Sequence, residues 1–189
     1  MGLFGKLPAR GDFVRHGWSD ATIEALDAWL SGGLEDWRSR LGDAGAAQAL
    51  AAAPLLRFYT PPGWAGSAAL HGCLSPSVDR AGRFFFLAAG IEARAEAAWH
   101  LAVWHPGFAD HLETALYAAL SPGADLPELI DAVDRALPDG NAAPWRASLA
   151  TPSDALFWAE PEGESEPFVV RAAAPVPEVL DALLQTGTA

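Results

Sequence analysis

The 189-residue sequence carries one cysteine, Cys73, and one lysine, Lys6. A lone thiol excludes an internal disulfide and a multi-cysteine metal cluster within one chain, and it is the usage expected in a reducing compartment. Positive charge is scarce: 12 basic residues stand against 24 acidic ones, for a formal net charge of -12. That field repels nucleic acid and anionic membrane surfaces, so neither is an expected partner. Long hydrophobic runs are missing as well. The longest, Phe84 to Ile91, ends in charge at Glu92, well short of the roughly 20 apolar residues that cross a bilayer, and no membrane insertion is expected. Lys6, Arg10 and Asp12 arrive before an export-signal apolar stretch can form, which predicts a cytoplasmic location.

What is present suits a globular fold. With 51% hydrophobic residues the chain can bury one sizeable core, and a single domain over residues 1–189 is expected. Gly2 to Leu7 reads as a strand that Pro8 breaks into a loop. Ile23, Leu26, Leu30, Leu34, Trp37 and Leu41 step by three or four, predicting an amphipathic helix capped by Ser19 or Asp20, and Ala44 to Ala53 adds a short helix stopped by Pro54. Leu55 to Thr60, Ser67 to Leu74 and Arg83 to Ile91 read as strands, the last two a hairpin. Helices are predicted over 95–104, 108–120 and 126–137, then a hairpin of 154–159 and 167–172 around an acidic PEGESE loop, then a short helix from Pro175 carrying Val179, Leu180, Leu183 and Leu184. The resulting architecture is an αβα sandwich, with helices on both faces of a central mixed sheet of about five to six strands.

Chemistry-bearing patterns are few. Gly5-Lys6 is followed by Leu7 and Pro8, not by the Ser or Thr and helix that a phosphate-binding loop needs, and Pro8 removes a backbone donor. His100, His105 and His111 are five and six residues apart, off the spacing that sets metal ligands on one helical face, so no metal is expected. Cys73 lies in an apolar strand, where a buried inert thiol is the default, and Ser75 and Ser77 lack a nucleophile-elbow context. No cofactor is expected. Most of the eight tryptophans suit the core, while Trp18 and Trp64, in loop segments, are candidates for a docking surface.

Two segments concentrate charge at turns. In GKLPARGDF, Lys6, Arg10 and Asp12 flank Pro8 and Gly11 at a strand end. Asp12 can pair with Arg10 or Lys6 while Gly11 supplies a positive φ, or the loop can present its charges to a partner. In PSVDRAGRFFFL, residues 79–82 form a hairpin turn with Gly82 left-handed. Asp79 and Arg83 flank it, poised either for a salt bridge across the turn or for a recognition tip. Both readings stay open.

In this order and separation, the two segments resemble the TagF (ImpM) family of type VI secretion system-associated proteins. The family's N-terminal pattern, G-K-[LI]-P-x-x-G-D-F, is matched by Gly5, Lys6, Leu7, Pro8, Gly11, Asp12 and Phe13; its central pattern, P-S-x-D-x-x-G-R, by Pro76, Ser77, Asp79, Gly82 and Arg83. One departure is Phe86 where the family often has proline after the aromatic pair. The C-terminal third is matched only loosely. The resemblance implies an α/β sandwich that represses the secretion apparatus after translation, as a non-catalytic binder of a forkhead-associated-domain scaffold protein. Some members are fused to a phosphatase domain, but aspartate-rich metal motifs are lacking here, and phosphatase activity is not expected. The alternatives are a structural accessory component of the apparatus, or a small phosphate-handling hydrolase built from Lys6, Asp12, Asp79 and Arg83.

Overall fold

The computed structural model describes residues 1–136, 153–159, 168–175 and 179–181. In chain order the elements are β1 (Gly2–Gly5), β2 (Val14–His16), α1 (Asp20–Ala52), β3 (Leu56–Thr60), β4 (Ala69–Val78), β5 (Phe84–Ala93), α2 (Ala95–Trp104), α3 (Pro106–Ala119), α4 (Leu126–Asp134), β6 (Ala155–Ala159) and β7 (Phe168–Ala172). The strands form one seven-stranded sheet in the order β2-β1-β5-β4-β3-β6-β7. Every neighbouring pair is antiparallel. The expected mixed sheet of five to six strands is corrected on both counts. Four of the six pairings join strands consecutive in the chain, an arrangement that favours antiparallel pairing. The β1–β5 and β3–β6 pairings are long-range, and their direction is not written in any local pattern.

The strand missed at sequence level is β2, three residues long with Arg15 exposed between Val14 and His16. A strand that short carries too little alternation to be recognised. β4 runs past the expected Leu74 to Val78, through Pro76. Because β3 begins at Leu56, opposite Leu74, Pro76 lies where β4 has a neighbour on one side only, the edge position at which proline is tolerated.

Successive residues alternate between two faces. On one, Phe4, Phe58, Leu74 and Ala88 pack against Ile23, Leu26, Trp29, Leu30, Leu34 and Trp37 of α1. On the other, Leu3, Cys73 and Leu87 meet Phe108, Leu112 and Leu116 of α3 and Leu129 and Val133 of α4, while Tyr59, Leu156 and Trp158 meet Ala98 and Ala102 of α2. Covering both faces explains why β5 reads as an uninterrupted apolar run, and it bears out the sandwich class. Ser19 caps α1, its hydroxyl accepting from the Thr22 N–H. Gly42 (φ 71°, ψ 168°) interrupts α1, which agrees with the two successive helices read from the sequence. A helical turn at 179–181 returns Val179 and Leu180 to the α1 face. Leu183, Leu184, Trp145 and the PEGESE loop lie outside the described residues.

Buried charge also ties layers together. Arg57 of β3 donates from Nε to Glu113 at 2.7 Å and pairs with Asp110, both on α3. Burial alone lowers the affinity of this guanidinium for its proton; the hydrogen bonds and charge of Glu113 more than reverse that.

Candidate functional site

β1 and β5 are neighbours, so the loop leaving β1 and the turn entering β5 meet at one end of the sheet. Gly5 makes the approach possible. Its φ is 139°, and a Cβ there would stand 2.1 Å from the Phe86 carbonyl oxygen, a position only glycine fills. Directly after it, the Lys6 N–H donates to Phe86 O at 3.0 Å, and the Ser77 hydroxyl donates to Lys6 O at 2.8 Å.

Asp79 is the hub of this end. Its side chain has no exposed surface. Oδ1 accepts the Ala81 and Arg83 N–H groups, each at 2.9 Å, and Oδ2 accepts from Lys6 Nζ at 3.1 Å and Arg83 Nε at 2.6 Å. Burial by itself would raise the carboxyl pKa. The Arg83 N–H, the Lys6 ammonium, the Arg83 guanidinium and the Ala81 N–H overcome it and hold Asp79 well below the ordinary carboxylate range. Gly82, at φ 78°, closes the turn with its N–H on Asp79 O at 2.9 Å. The left-handed Gly82 and the Asp79–Arg83 bridge are as the sequence suggested.

Two further bonds clamp the loops together: Arg83 donates to Gly11 O at 2.8 Å, and the Arg80 N–H donates to Arg10 O at 2.7 Å. The Lys6 ammonium sits 5.1 Å from the ring centre of Phe13, which stacks on Phe4 and meets Phe85 edge-on. Pro8 and Pro76 line an apolar cleft with Leu50, Val78, Phe84 and Leu120. The structure therefore brings Gly5, Lys6, Pro8, Arg10, Gly11, Phe13, Pro76, Ser77, Asp79, Gly82 and Arg83 into one connected region.

Asp12 stands apart. It is exposed and has no hydrogen-bond or ion-pair partner among the described residues; Lys6 pairs with Asp79 instead. Gly11 is not among the positive-φ glycines, a role taken by Gly5. Trp18 and Trp64 are buried in the α1-face core, which removes them as docking candidates; among the described residues the exposed tryptophan is Trp104, at 53%. Cys73 is buried, with its thiol pushed up by burial and Glu113. No group of three or more His, Cys, Asp or Glu among the described residues could hold a metal ion, and no described helix is long and apolar enough to cross a membrane.

Arg15 and Arg80 carry no local pattern that marks them in the sequence. Both are exposed, and with Arg10, Asp12 and Phe13 they line an open groove beside the clamp. Arg83 is 62% exposed at its side chain. Lys6 and these four arginines are five of the chain's 12 basic residues. That contrast with an acidic whole was the available signal.

Fold and site together define an αβα domain whose two charged loops are locked into one fixed basic surface. The TagF N-terminal domain, type VI secretion system-associated, matches residues 2–136, and the chain belongs to this family. The crystal structure of PA0076 from Pseudomonas aeruginosa PAO1 is similar over 97% of this chain and 93% of that one, with a TM-score of 0.81 and 26% sequence identity. No curated protein sequence matches the chain.

Proposed function

We propose that the chain is a cytoplasmic, non-catalytic regulator of the type VI secretion system, a post-translational repressor that acts by binding a protein partner. By family resemblance, that partner is a forkhead-associated-domain scaffold protein. The observation that supports this reading most directly is the clamp: it holds exposed arginines in place on a chain of formal net charge -12, a preorganised surface suited to recognition. The residues 1–189 act as one unit in this reading.

The hydrolase alternative required Lys6, Asp12, Asp79 and Arg83 to converge in one pocket with a perturbed carboxylate. Three of them do converge, but Asp12 lies in the neighbouring groove and bonds to none of them, and Asp79 is solvent-inaccessible, filled by four donors and held ionised far below neutrality. A carboxylate so stabilised is a weak base with no room for substrate, so binding is favoured over catalysis.

The test is to overproduce the chain in a bacterium with an active type VI secretion system, beside an Arg10→Glu, Arg80→Glu variant confirmed folded. Secretion is expected to fall with the unaltered chain only, which alone co-purifies with a forkhead-associated-domain component. Unchanged secretion would sink the repressor reading, and co-sedimentation with the assembled apparatus would favour the structural alternative.

A further inference from the structure

The partner-binding reading leaves open what the groove recognises. Arg10, Arg15 and Arg80 line it, all exposed. None has an ion-pair partner among the described residues, and the Arg15 guanidinium lies 5.9 Å from the ring centre of Phe4. Resting on that reading, we propose that the groove receives an acidic segment of the partner protein, its spaced carboxylates bound by these guanidinium groups.

Charge complementarity carries the argument. The rest of this acidic chain repels a negatively charged segment, so the basic end both steers and orients the encounter. Guanidinium forks match carboxylates in a planar, two-bond geometry. Guanidinium groups bind phosphate as well as carboxylate, but the convergent backbone donors that complete a phosphate nest are already used in the adjoining turn: the Arg80 N–H is on Arg10 O, the Gly82 N–H on Asp79 O, and the Ala81 and Arg83 N–H groups on the Asp79 carboxylate. Asp12, itself in the groove, lowers the local positive field and so disfavours one concentrated dianion relative to spaced single charges. Phe13, 39% exposed, adds an apolar contact for side chains between the acids.

The experiment titrates the isotope-labelled full chain with a synthetic Glu-Gly repeat peptide, following backbone and arginine resonances by NMR, which detects weak binding. Saturable shifts are expected at Arg10, Arg15 and Arg80, diminishing as salt is added. Replacing all three by alanine is expected to weaken binding by about tenfold or more, whereas Arg94→Ala, Arg135→Ala, which removes exposed arginines elsewhere, leaves it unchanged. The proposal is overturned if the shifts are absent or lie elsewhere, if a Gln-Gly repeat produces the same shifts, or if a peptide bearing one phosphothreonine binds more tightly than the Glu-Gly repeat. Thermal melting checks that the variants are folded, and the salt series on the unaltered chain tests the charge dependence without any variant. The secretion assay separates this from the role proposed above. A groove that binds the acidic peptide in a triple variant-sensitive way, on a chain with no effect on secretion, would leave the inference standing and the regulatory reading lost; repression without peptide binding would do the reverse.

Discussion

The Lys6 ammonium stands 3.1 Å from the buried Asp79 carboxylate, joining residues 73 positions apart in the chain. This pair holds the loop after β1 against the turn before β5, the backbone from which Arg10 and Arg80 project, joined there by the Arg80 N–H on Arg10 O. Stability at this end of the molecule rests on buried residues and the proposed recognition on exposed ones, so substitutions can separate the two.

Asp79→Ala is expected to destabilise the fold by about 3–5 kcal/mol, because it leaves the nearly buried Lys6 ammonium unpaired along with two turn N–H groups. Chemical denaturation measures this directly. Asp12→Ala, at an exposed position without a partner among the described residues, is expected to change stability by no more than about 0.5 kcal/mol. Equal effects from the two would show that Asp79 is not the hub.

The same carboxylate makes stability depend on acid. Asp79 and Glu92 both have folded-state pKa values below the ordinary range. Their contribution is thus complete above the unfolded-state values, about 4, and is lost as pH falls through that range towards the folded values. Melting temperatures of the unaltered chain and of Asp79→Asn should differ most near neutrality and converge in acid. A constant gap down to the acid limit would contradict this linkage.

Glu92 on β5 reaches the start of α1, accepting from the Ser19 N–H and hydroxyl, each at 2.8 Å, and from the Thr22 hydroxyl at 3.0 Å. Burial alone would raise its pKa, and these three bonds reverse that. A carboxylate at a helix N-terminus also complements the helix dipole. Glu92→Ala is expected to remove about 1–2 kcal/mol, read as a lower denaturation midpoint with unchanged slope.

Two glycines with positive φ should respond very differently to alanine. At Gly82 the added Cβ meets nothing within 4 Å, and the expected loss is about 1 kcal/mol for the left-handed backbone. At Gly5 the Cβ would collide with the Phe86 carbonyl, forcing β1 from β5, and the expected loss exceeds about 3 kcal/mol or prevents folding. Thermal melting of the two variants in parallel decides it.

The sequence by itself determined the parts whose cause is local. The three-to-four-residue stepping from Ile23 to Trp37 determined the first helix, and the turn at 79–82 with Gly82 determined the β4–β5 hairpin. Asp79 and Arg83 are close enough in the chain for their bridge to be anticipated. Only the tertiary structure decided that Lys6 pairs with Asp79 and not Asp12, that Arg15 and Arg80 share a groove, that Trp18 and Trp64 are core residues, and that the sheet is antiparallel throughout. Each of these depends on β1 lying beside β5 or on α1 covering one face. Such contacts arise between distant segments, through burial of surface and pairing of charge that no neighbouring residue encodes.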